Sequence, residues 1–143
     1  MPMPARVTRR GALALAALAP LSRPARAAQS RFIQTTDGVR LHVQEAGQGT
    51  PIVIVPGWCM PGWLFEPQLR GLSSRFRVVV MDPRGQGQSD IPGWGYDQNR
   101  RGADIGDVLD ALRIPRAVIL GWSLGVLDTL GYVANRGDRG WPD

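Results

Sequence analysis

Three short apolar runs, Ile52-Val53-Ile54-Val55, Val78-Val79-Val80-Met81 and Val118-Ile119-Leu120, lack the polar alternation of a half-exposed sheet. Continuous runs of β-favouring residues suit strands covered on both faces, the condition of a parallel sheet wrapped by helices. Helical spacing fills the intervals. Phe65, Leu69 and Leu72 follow the first run, and Ile105, Val108, Leu109 and Leu112 follow the second, stopping before Pro115. Val126, Leu127, Leu130, Val133 and Ala134 follow the third. Ahead of them all, Phe32 to Thr35 and Val39 to Val43 flank Asp37-Gly38, which reads as a β-hairpin. The pattern predicts an α/β fold, a hairpin followed by parallel strands alternating with helices, with any site at the carboxyl ends of the strands. There is no internal repeat and no low-complexity segment beyond the amino terminus.

Charge is distributed unevenly along the chain. All 17 basic residues are arginine, and five of them (Arg6, Arg9, Arg10, Arg23, Arg26) lie in the first 27 residues, which hold no acid. The rest of the chain balances at 12 basic and 12 acidic residues, so the formal +5 belongs to the leader and does not make a nucleic-acid surface. Within that leader Thr8-Arg9-Arg10-Gly11 precedes an apolar run from Ala12 to Leu21, and Ala25-Arg26-Ala27 offers small residues for cleavage. Residues 1–27 are therefore expected to be a bacterial export signal of the twin-arginine type, with the product periplasmic or secreted. The apolar run is short for a spanning helix and contains Pro20, so no membrane span is expected after its removal. Cys59 is the only cysteine, which leaves no internal disulfide.

The chemistry concentrates in Gly121-Trp122-Ser123-Leu124-Gly125, set where a buried run gives way to a helical stripe. A sharp strand-to-helix turn forces its central residue into a strained backbone conformation, and flanking glycines let strand and helix approach closely. Ser123 would stand in a cleft, with the N-terminal end of the helix from Leu124 directed at any oxyanion that develops beside it.

Three stretches then carry a resemblance to the α/β-hydrolase superfamily: Pro51-Ile52-Val53-Ile54-Val55-Pro56-Gly57-Trp58, Asp82-Pro83-Arg84-Gly85-Gln86-Gly87-Gln88-Ser89, and the turn at Ser123. The resemblance implies Ser123 as nucleophile, the backbone N–H groups of Trp58 and Leu124 as oxyanion hole, and Gly121 and Gly125 as the glycines of the elbow. Pro56 departs from the histidine usual in that first stretch. Serine at the elbow disfavours the relatives that use a nucleophilic aspartate. Arg84 is either a salt-bridge partner beneath the site or a solvated turn arginine, and its turn lacks the spacing of a phosphate cradle. Trp58, Trp63, Trp94 and Trp122 suit apolar walls or packing beneath the loops. Cys59 and Met60 follow the oxyanion turn and would line the acyl pocket; Cys59 reads as a buried, inert thiol rather than a nucleophile. No cofactor and no metal is expected, and the expected partner is a small-molecule substrate.

The same resemblance places an acid and a histidine after the serine, on loops following later strands. Neither is found in this chain, whose only histidine, His42, precedes the serine and reads as a half-exposed strand residue rather than the base. Residues 28–143 are thus expected to be the N-terminal part of an esterase-like domain whose last strands are missing, with a bare sheet edge beside the third run and nearly no activity alone. The alternative is a non-catalytic exported module whose open edge pairs with a partner chain or another copy of itself.

Overall fold

The computed structural model of the protein describes residues 28–136, so the expected export signal and residues 137–143 lie outside the described part. Strands β1 (Gln29–Gln34) and β2 (Arg40–Ala46) form the expected antiparallel hairpin, turning at Gly38 with φ +84°. After β3 (Pro51–Val55), a 3-10 turn at Gly62–Phe65 leads into α1 (Glu66–Leu72). Strand β4 (Arg77–Met81), α2 (Gln98–Ala111), β5 (Val118–Gly121) and α3 (Leu124–Arg136) follow. The sheet order is β1-β2-β4-β3-β5, with β3 parallel to both β4 and β5 and β2 antiparallel to β4.

The apolar runs of β3 and β4 have the expected cause. Val53, Val55, Val79 and Met81 pack with Leu41 and Val43 against Ile105, Val108 and Leu109 of α2 on one face. Ile54, Val78 and Val80 pack against Phe65 and Leu69 on the other. Each such fully buried side chain contributes about 1.5–3 kcal/mol relative to exposure.

The third run departs from this expectation. Ile119 reaches the core beneath α2, but Val118 and Leu120 remain 57% and 40% exposed, so β5 is not covered on both faces. The physical reason is its place at the end of the described sheet: β3 covers one side, and no described strand pairs with the other. Val126, Leu127, Leu130 and Val133, the apolar stripe of α3, are exposed beside it.

Helix α2 starts at Gln98, seven residues before the apolar pattern begins, capped by the Asp97 carboxylate accepting from Arg100 N at 3.0 Å. Its first turns are polar in sequence because they are anchored by ion pairs rather than by apolar contacts. Here α2 crosses α3 at glycines: a Cβ on Gly102 would lie 2.5 Å from the Gly131 carbonyl carbon, and one on Gly131 2.5 Å from the Gln98 carbonyl oxygen. Gly102→Ala is expected to cost about 1–3 kcal/mol by overpacking, seen as a lower urea midpoint at unchanged slope. An unchanged midpoint would show that the helices separate freely.

Candidate active site

Ser123 occupies the single residue pair of spacing that links β5 to α3 together with Trp122, and its φ of +54° lies in the left-handed region that side chains seldom enter. The surrounding hydrogen bonds enforce that bend. Trp122 N donates to Val55 O at 3.0 Å, Gly125 N to Trp122 O at 2.9 Å, and Val126 N to Ser123 O at 3.0 Å. Both elbow glycines are sterically required: a Cβ on Gly121 would lie 2.6 Å from the Gly125 carbonyl oxygen, and one on Gly125 would collide with the carbonyl of Val55. Ser123 is exposed, at the carboxyl end of the strand.

The turn after β3 lies directly against this elbow. A Cβ on Gly57 would stand 2.8 Å from the Ser123 Cβ and 3.3 Å from Leu124 N, so the chain around Trp58 and the start of α3 meet at the serine. Pro56 is buried in that turn. Gln86 fixes its far end, accepting a hydrogen bond from Met60 N at 2.8 Å. Trp58, Trp63, Trp94 and Trp122 are each more than half exposed, so they are not packing beneath the loops. Cys59 is exposed with φ +56°, which corrects the reading of a buried thiol: the turn after β3 leaves it at the surface. Met60 is partly buried against Phe65 and its neighbours.

The Asp82–Ser89 turn is built into the scaffold beneath. Asp82 accepts from His42 Nδ1 at 2.8 Å, from Gln88 N at 2.9 Å and from Gly62 N. Ser89 Oγ donates to Asp82 O and accepts from His42 N. His42 is therefore buried, at 2% exposure, rather than half-exposed, because the turn after β4 folds back over β2. Its strand is separated from β5 by β4 and β3, so it is not brought to Ser123.

Of the two readings of Arg84, the structure selects the salt bridge. Arg84 is fully buried and donates to both Asp104 oxygens at 2.7 Å and to the Asp37 carboxylate at 3.0 and 3.1 Å. Burial opposes its charge, but the bonds to Asp104 and then Asp37 outweigh that and raise its pKa. Asp37 is held well below the usual carboxylate range, chiefly by the Arg84 hydrogen bonds against the effect of burial, with help from Thr35. A depressed carboxylate stabilises the fold fully above its unfolded pKa of about 3.9 and loses that contribution as pH falls below it. Asp37→Asn is thus expected to narrow its stability deficit against the wild type between about pH 5 and about pH 3, as followed by urea unfolding. A deficit constant across that range would show that Asp37 does not carry the acid sensitivity.

Several residues escaped the sequence reading. Arg101 and Asp128 form a buried bidentate pair at 2.9 and 2.7 Å between α2 and α3, with the guanidinium 5.9 Å from the Trp58 ring centroid. Arg100 joins Asp104 and Asp107 at 2.9 and 2.6 Å. Partners 27 residues apart leave no periodic trace. Among the described residues no group of three or more His, Cys, Asp or Glu side chains could hold a metal, and no helix is long and apolar enough to cross a membrane.

A serine on a tight strand-to-helix turn, at the carboxyl end of a parallel strand in a mixed sheet, defines a hydrolase-like class of α/β protein. Residues 50–130 match the family model described as the alpha/beta hydrolase fold, and the chain belongs to that family. It is 36% identical over 104 residues to the AB hydrolase superfamily protein YisY of Bacillus subtilis, covering 72% of this chain and 39% of that protein. It is 32% identical over 105 residues to the non-heme chloroperoxidase CPO-A1 of Kitasatospora aureofaciens, covering 72% and 38%. Among solved structures, an esterase from Exiguobacterium antarcticum superposes with a TM-score of 0.75 at 34% identity, covering 78% of this chain and 42% of that one. The chain thus spans less than half the length of these relatives. The relatives it resembles include an esterase and a chloroperoxidase of this fold.

Proposed function

We propose that this chain is the N-terminal part of an exported serine hydrolase that transfers an acyl group from a carboxylic ester to Ser123 and then to water. The observation that carries this reading is the positive φ of Ser123 at an exposed turn, with Gly57 packed against its Cβ. Attack by Ser123 Oγ on the ester carbonyl would place negative charge on the carbonyl oxygen, for which the N–H groups of Trp58 and Leu124 are the donors. The acid and the histidine come from polypeptide beyond these residues. Without that imidazole the serine is a weak nucleophile, and the chain alone is nearly inert.

The test is a fusion of residues 28–136 to the portion of the Exiguobacterium antarcticum esterase that lies beyond the matched region, assayed on p-nitrophenyl esters. Hydrolysis that depends on Ser123 is expected, and hydrolysis that survives its loss would overturn the assignment. A second reading, a non-catalytic exported module that pairs through an open edge, draws on the exposure of Val118, Leu120 and Leu130. Size-exclusion of the chain separates them, since a cooperative monomer contradicts that second reading.

A further inference from the structure

We propose that Ser30 is a second activated serine, a site of covalent modification by electrophilic esters and phosphonyl fluorides that works without Ser123. Ser30 lies on β1, at the edge of the sheet, and is exposed. Its Oγ is 2.5 Å from His42 Nε2, while His42 Nδ1 is 2.8 Å from Asp82 Oδ2. Because a carboxylate only accepts, Asp82 keeps the imidazole proton on Nδ1 and leaves the Nε2 lone pair facing the Ser30 hydroxyl. That is the order of contacts by which a hydroxyl is activated: nucleophile to base, base to an orienting carboxylate.

The partners are fixed rather than incidental. Asp82 is held by Gln88 N and Gly62 N, and His42 is buried, with the Phe32 ring 5.4 Å from its own. The register explains the arrangement: Phe32 pairs with His42 and Ser30 with Gln44, so Ser30, Phe32 and His42 share one face of the hairpin. Phe32, half exposed beside the serine, gives an apolar wall to the incoming group. In the step itself Ser30 Oγ bonds to the acyl carbon or phosphorus and its proton passes to His42 Nε2. The alcohol leaves with that proton, or fluoride leaves as the anion.

The experiment treats the chain with a fluorophosphonate and maps the label on tryptic peptides. Ser30, the pair Ser73 and Ser74, and Ser123 fall on separate peptides, 27–31, 71–75 and 117–136. Since His42 is the only histidine, Ser73 and Ser74 are comparators without a base. Peptide 27–31 is expected to label about 10²-fold faster than 71–75, in the wild type and in Ser123→Ala alike, and Ser30→Ala is expected to abolish it. Equal rates at the two peptides would overturn the proposal, as would label on 117–136 alone, a result that leaves the Ser123 reading standing. His42→Gln should slow peptide 27–31 to the comparator rate if its circular dichroism is unchanged, and undiminished labelling would overturn the role of the imidazole. If that variant unfolds, the wild-type comparison decides.

Discussion

Ser123→Ala in the fused hydrolase is expected to lower kcat on a p-nitrophenyl ester roughly 10⁶-fold, to a residue of rate that the oxyanion donors and binding sustain without a nucleophile. The size follows from the site. The serine stands on a bend its neighbours hold in place: Trp122 and Gly125 are tied by backbone bonds, and neither Gly121 nor Gly125 has room for a Cβ. KM is expected to change little, because alanine removes only the atom that bonds to the substrate carbon. The measurement is steady-state hydrolysis with active-site titration, and a loss below about tenfold would mean that the ester is cleaved elsewhere. The unfused chain is expected to show no sustained turnover above background in the same assay, beyond the single equivalent of alcohol that acylation of Ser30 releases.

Arg84→Met is expected to destabilise the fold by about 3 kcal/mol, since it removes the buried bidentate partner of Asp104 and the main partner of Asp37 and leaves Arg100 as the one cation still beside both among the described residues. With total stability of about 5–15 kcal/mol for a natural domain, this variant approaches unfolding. Arg84 ties the hairpin turn through Asp37 and helix α2 through Asp104 to the loop after β4 that carries it. Arg84→Lys is expected to recover part of the loss, because an ammonium keeps the charge but cannot serve two carboxylates with a planar fork. Thermal unfolding followed by circular dichroism reads both variants. A midpoint for Arg84→Met within a degree of the wild type would show that the buried network is energetically idle.

The fold was legible where burial alone sets residue choice. Val53, Val79 and their neighbours announce strands because every face of β3 and β4 needs an apolar side chain. The elbow was legible because a left-handed serine between two close-packed backbones leaves few alternatives to glycine at positions 121 and 125. The polar interior was not legible. His42 reads as half-exposed by its place in a hairpin, and only the fold-back of the Asp82–Ser89 turn buries it. Arg101 and Asp128 carry no pattern of their own, since each is ordinary on a helix surface until the two helices meet.

Local sequence by itself determined the strands, the helical stripes and the bend at Ser123, because these depend on side-chain period and backbone freedom within a few residues. Tertiary structure decided which charges lie inside, how closely α2 and α3 cross, and that β5 and α3 leave apolar surface uncovered among the described residues. Those outcomes depend on which distant segments come together, and desolvation and pairing act only once they have met.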